Sequence, residues 1–217
     1  MVALLGLIHV TLLFLNINPG IFGIGPRSPE GLVGILTSPF VHGDWAHLLS
    51  NAAPMFVFVA AILYFYRKAA LSATLWIWLM TGIWVWIVGQ YGSHHIGASG
   101  LIYGFAAFLF FSGVFRKDIR SMALSLVIAF FYGGMVWGVL PAEEGVSWES
   151  HLFGFIAGTL NAWYHRKVGK APQKKYSWEL EPESTADDAN AVWNYRENWP
   201  GGQTIILPGE VNEGPSH

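Results

Sequence analysis

Six apolar runs, each close to the length that crosses a bilayer, constrain this chain more than any other feature of its sequence. They cover roughly Met1–Ile21, Trp45–Tyr66, Ala69–Gln90, Ile96–Phe115, Ser121–Leu140 and Ser150–Tyr164. A helix needs about 20 mostly apolar residues to cross the hydrocarbon, so the first and last runs are the weakest. Of the 217 residues 53% are hydrophobic and only 12% charged, about half the charged share of a soluble domain. Lipid is therefore the expected solvent. No alternating pattern of a β-barrel competes with the helical runs. The expected fold class is all-α, a polytopic membrane protein with six transmembrane helices. The first run lacks the basic start and small-residue cleavage site of a secretory signal and reads as a retained helix.

Cytoplasmic loops hold on to Lys and Arg, and here the bias is one-sided. Arg67 and Lys68 follow the second run, Arg116, Lys117 and Arg120 the fourth, and Arg166, Lys167, Lys170, Lys174 and Lys175 the sixth, ten of the twelve basic residues in all. The loops after runs one, three and five hold only Arg27. Both termini are thus expected in the cytoplasm, and runs two, four and six start at the outer face. Residues 19 to 44, punctuated by Gly20, Gly23, Gly25, Pro26, Pro29 and Pro39, form a long outer loop expected in the membrane interface. Residues 1–166 read as the membrane domain, and residues 167–217, polar and acidic after Lys175, as a largely disordered cytoplasmic tail. The net charge of −2 gives no reason to expect nucleic acid. With no cysteine, thiolate nucleophiles and cysteine metal sites are excluded.

Ionisable and polar residues at membrane depth are costly, which makes each a functional candidate. Three outer helix starts carry them: His42, His47 and Asn51 on the second, Ser99 within Gly97-Ala98-Ser99-Gly100 on the fourth, and His151 on the sixth. A serine hydroxyl becomes a good nucleophile when a neighbouring base takes its proton, and His151 is the candidate base. Gly100 and Gly104 are four apart, as are Gly154 and Gly158, and small residues at that spacing let membrane helices approach closely. Such a contact between the fourth and sixth helices brings Ser99 to His151, with Tyr103 placed to pack against the imidazole. His47 and Asn51, also four apart, share one helix face. With the backbone N–H of Ser99 they are the candidate donors to an oxyanion, each worth about 10² to 10³ in rate.

These residues resemble the pattern of the rhomboid intramembrane serine proteases: a His-x4-His-x3-Asn segment, Gly-x-Ser-Gly opening the fourth helix, and His-x2-Gly-x3-Gly on the sixth. The chain reads His42, His47 and Asn51, then Gly97, Ser99 and Gly100, then His151, Gly154 and Gly158. The resemblance implies a six-helix rhomboid bundle over about residues 1–166. It also implies a catalytic dyad of Ser99 and His151 with no aspartate, and an oxyanion hole of His47, Asn51 and the Ser99 amide. The loop Pro141 to Ser147 is similar in position to the family's cap over the active site. One departure is that many members carry Trp-Arg in the first loop where this chain has Val33 and Gly34. That leaves open how the loop is anchored.

The expected function is intramembrane endopeptidase activity near the outer face of the bilayer. The expected substrates are single-span or polytopic membrane proteins, and a prokaryotic inner membrane is the expected location. No cofactor or metal is implied. The alternative is a catalytically inactive rhomboid-like protein that binds membrane helices. A metal- or haem-binding protein using His42, His47, His94, His95 and His151 leaves Ser99 unexplained, and a transporter site belongs at the midplane. His9, His94, His95 and His165 read as interfacial residues, Glu143, Glu144 and Glu149 as a solvated outer rim, and Trp148 and Trp163 as interfacial anchors.

Overall fold

The computed structural model describes residues 2–141 and 147–169. Glu143, Glu144, most of the proposed cap loop and the tail from Lys170 onward, with Lys174 and Lys175, lie outside the described residues. Six longer helices follow one another along the chain: α1 (Val2–Phe14), α2 (Trp45–Phe65), α3 (Ala70–Val88), α4 (Ser99–Arg116), α5 (Ile119–Tyr132) and α6 (Trp148–Tyr164). The last turn of α5 tightens into a 3-10 segment, Gly133–Val139. Among the described residues, four stretches are long and apolar enough to cross a membrane: Trp45–Phe65, Ala70–Val88, Ser99–Arg116 and Ile119–Val139. With 13 residues in α1 and 17 in α6, the two end helices are shorter than the rest.

Local chemistry sets these boundaries. The Asp44 carboxylate accepts from His47 N at 2.8 Å and caps α2; Asp118 accepts from Ser121 N at 3.0 Å and caps α5. Side chains of this kind satisfy backbone donors that a helix start leaves unpaired. The first apolar run, expected to reach Ile21, stops as a helix at Phe14. Asn16 is in the left-handed region at φ 53°, and Asn18 with Pro19 opens a separate 3-10 turn, Pro19–Phe22. Apolar composition continued past the end of the helix, but backbone geometry did not.

The centre of the bundle is α4, which buries Leu101, Ile102, Phe105, Phe108 and Leu109 against Met55, Phe58 and Ile62 of α2 and Ile77 of α3. Its other side meets α6 through the four glycines. A Cβ built on Gly154 would overlap the carbonyl oxygen of Gly100, and one on Gly158 would overlap that of Gly104. The two backbones therefore touch where any side chain would force them apart. Away from this core the helices expose large apolar side chains, including Leu7, Phe56, Leu126, Phe130 and Phe131. A belt of this kind suits hydrocarbon and not water.

The 19 to 44 loop is not an extended connection. It folds back onto α3 and the segment before α4. Trp78 Nε1 donates to Ile35 O at 2.8 Å, Trp86 Nε1 to Ser28 O at 2.9 Å, and Arg27 to Ile87 O at 3.1 Å. Gly34 lies so close to Gly23 that a Cβ there would overlap its carbonyl. Two tryptophans of α3 thus anchor a loop that lacks its own Trp-Arg pair.

His9 and His165, expected at the interface, are both buried. His9 packs edge-on to Trp45 with ring centroids 4.8 Å apart. His165 shares a 2.9 Å hydrogen bond with Ser72 Oγ, and its backbone carbonyl accepts from buried Arg116 at 3.1 Å. Trp163 is exposed, with the Arg166 guanidinium 4.2 Å over its ring.

Replacing Gly154 by Ala should cost about 1–3 kcal/mol of stability through overpacking against α4. Gly6→Ala, where nothing lies within 4 Å of an added Cβ, should cost nothing. Denaturant unfolding in detergent micelles distinguishes the two, and equal losses would contradict the tight contact.

Candidate active site

A cavity of about 860 Å³ opens between α2, α4, α5 and α6, and its lining includes His47, Asn51, Ser99, Tyr103 and His151. The structure therefore gathers the expected serine, base, aromatic partner and both side-chain oxyanion candidates around one space. His42, Gly97, Gly100, Gly154 and Gly158 are not among the residues that line it.

Ser99 is the first residue of α4, and Gly97 two positions earlier turns the chain at φ 103°. The turn is held by Gly97 N donating to Ser38 O at 2.9 Å. A Cβ on Gly97 would lie within 2.7 Å of His47 Cε1 and even nearer Nε2. Glycine is required here twice, for the positive φ and for the approach of the imidazole. The Ser99 amide, at a helix N-terminus, is among the donors that the helix itself leaves unpaired.

On α6, His151 is buried, and its Nδ1 lies 2.8 Å from the Gly138 carbonyl oxygen. A carbonyl can only accept, so Nδ1 carries the proton. In the neutral ring Nε2 then presents a lone pair, the form a general base requires. Tyr103 stacks on this imidazole, with centroids 4.1 Å apart and planes 8° from parallel. Two independent contacts, one in the ring plane and one on its face, thus fix tautomer and orientation. No hydrogen bond within 3.5 Å joins Ser99 Oγ to His151 among the described residues. Such bonds commonly tighten only when substrate is bound.

Across the cavity, Asn51 Nδ2 spends one proton on His47 O at 2.8 Å and keeps a second for another acceptor. His47 is half-buried and meets His42 edge-on at 5.0 Å. His42 is buried with both ring nitrogens unpartnered. Burial, together with His47 and His9, pushes its pKa down to about 4 against the opposing pull of Asp44.

Sequence reasoning missed two contributors. Gly138 orients the His151 imidazole through a backbone carbonyl, which no residue pattern announces. His95, expected at the interface, is buried at the rim of the cavity and hydrogen-bonded to Ser93 and Ser147. Glu149 is half-buried and near enough to oppose the fall of the His95 pKa that burial causes. Among the described residues no three His, Asp or Glu side chains are arranged to hold a metal ion.

The model of the Rhomboid domain matches residues 29–168. An uncharacterized Mycobacterium tuberculosis protein is 36% identical over 165 residues, covering 70% of this chain and 65% of its own length. A Mycobacterium leprae relative, also uncharacterized, is 35% identical over 167 residues, covering 70% and 62% respectively. A Bacillus subtilis protein named "Putative rhomboid protease YdcA" is 27% identical over 136 residues, covering 58% of this chain and 63% of its own. The matched stretch is thus less than two thirds of each relative's length. No solved structure matches the chain. The chain belongs to the rhomboid family and is an integral membrane protein.

The depressed pKa of His42 has a consequence for stability. A folded-state pKa near 4 against an ordinary value of 6.5 means that only the unfolded chain takes up this proton as pH falls between those values. Stability should therefore drop by about 3 kcal/mol across that window and change no further below it. His42→Gln should flatten the melting temperature between pH 7 and 4.5 relative to wild type; an unchanged slope would contradict the assignment.

Proposed function

We propose that the chain is an intramembrane serine endopeptidase, with Ser99 as nucleophile and His151 as general base. In this reading Ser99 Oγ attacks the scissile carbonyl while His151 Nε2 takes the hydroxyl proton and then delivers it to the leaving amine. The oxyanion is met by His47, the free Asn51 Nδ2–H and the Ser99 amide. Water then hydrolyses the acyl-enzyme with His151 again acting as base. The observation that carries this reading is the His151 ring, whose tautomer and orientation are fixed with Nε2 unprotonated, on the same cavity as Ser99.

The domain and its setting follow the same reading. Residues 1–166 form a protease domain crossing the membrane six times, with α1 and α6 as the two shorter spans, and residues 167–217 form a cytoplasmic appendage. The Lys and Arg residues after α2, α4 and α6 support cytoplasmic termini, and the membrane of this reading is a prokaryotic plasma membrane. The catalytic cavity then opens near the outer face, and the substrates are transmembrane segments of other membrane proteins.

The test is cleavage of a single-span substrate in liposomes by wild type, Ser99→Ala and His151→Ala. Wild type should cleave, and both variants should lose at least about 10³-fold in rate. Undiminished cleavage by Ser99→Ala would overturn the assignment. Cleavage by none of the three would favour an inactive relative that binds membrane helices.

A further inference from the structure

The residues flanking the proposed dyad are tied together by a side chain that the proposed chemistry does not use. His95 lies four positions before Ser99, and Ser147 four before His151. The two meet through a hydrogen bond between His95 Nδ1 and Ser147 Oγ. Its direction follows from its neighbours. The Ser93 hydroxyl donates its single proton to Gln90 O at 2.6 Å, so at 2.8 Å from His95 Nε2 it can only accept. Nε2 therefore carries the imidazole proton, Nδ1 presents the lone pair, and the Ser147 hydroxyl donates to it. The tautomer is opposite to that of His151.

His95 is itself held from several sides. Its backbone pairs with Ile24 in both directions, N–H to O at 3.0 Å and O to N–H at 2.9 Å. Its Nε2 edge nests against Gly89, where an added Cβ would come within 3.0 Å of it. Ser147, by contrast, is the residue that opens α6, and its carbonyl accepts from His151 N at 3.2 Å. A serine in that position ordinarily turns its hydroxyl to the first free amides of the helix. Ser147 makes no such bond; its hydroxyl is turned outward to His95 instead.

We propose that His95 is a positioning residue. By accepting from Ser147, it fixes the first turn of α6, and so the His151 imidazole, against the loop that delivers Ser99. This rests on the protease reading above. Its physical basis is that the two halves of the site come from different helices, whose backbones are held together by the glycine contact further down and whose Tyr103 and His151 rings stack. The His95–Ser147 bond adds a further fixed point at the upper end, where a displacement of about 1 Å between nucleophile and base costs on the order of 10² in rate.

The experiment is steady-state cleavage of a single-span substrate by the full chain in liposomes. The comparison set is wild type, Ser147→Ala, His95→Leu, His95→Asn and the Ser147→Ala/His95→Leu double variant. The two single losses should each lower kcat about 10- to 100-fold and leave KM within about twofold. The double variant should be no worse than either single one, because both remove the same bond. His95→Asn should hold kcat within about threefold of wild type, since its Oδ1 takes the place of Nδ1 and still accepts from Ser147. Amide exchange over residues 148–152 should quicken in His95→Leu and not in His95→Asn.

Unchanged kcat in both single variants, with wild type active, would overturn the positioning role alone. So would additive losses in the double variant, or losses that track melting temperature and are not rescued by Asn. Wild type that cleaves nothing overturns the protease reading and the positioning role with it.

Discussion

Everything that gives this bundle a site depends on the contact between α4 and α6. Gly154 and Gly158 meet Gly100 and Gly104 so closely that a methyl group added to either α6 glycine would enter the backbone of α4. In lipid no hydrophobic effect drives two helices together; association comes from close packing and from hydrogen bonds. The four glycines supply the first, at the cost of side chains that would otherwise pack. With the axes this close, residues at the upper ends of the two helices share a cavity.

A second consequence concerns His151, the proposed base. A buried imidazole with uncommitted nitrogens can hold either tautomer, and only one leaves Nε2 able to accept a proton. The Gly138 carbonyl and the stacked Tyr103 ring remove that freedom. Gly138 reaches the site because the end of α5 tightens into the 3-10 segment from Gly133, and an added Cβ on Gly138 would run into the Tyr103 hydroxyl. Three helices are thus needed to prepare one side chain: α6 carries it, α4 supports its face and α5 sets its proton.

Much of this was legible in the sequence, for identifiable reasons. Small residues four apart have one common use in membrane helices, so the α4–α6 contact could be read directly. Polar residues at helix starts in a lipid-facing chain are rare enough that Ser99, His151, His47 and Asn51 stood out. What was not legible depended on backbone or on tertiary burial. The Gly138 carbonyl belongs to no motif. His95 looks like any loop histidine until the 19 to 44 loop folds over it and Ile24 pairs with its backbone. Trp78 and Trp86 count in sequence only as apolar residues of a span, yet their indole N–H groups anchor that loop. The early end of α1 was signalled by Asn16, Asn18 and Pro19, and hydropathy alone overran those signals.

The central claim is that one serine among many is activated by its setting. Reaction of the folded protein with a fluorophosphonate, followed by peptide mapping in a mass spectrometer, tests it most directly. The account predicts a single adduct on the Ser99 hydroxyl, formed when the folded protein meets the reagent and not formed when the protein is denatured beforehand. An adduct on any other serine with Ser99 unmodified, or equal labelling of the denatured chain, would contradict it.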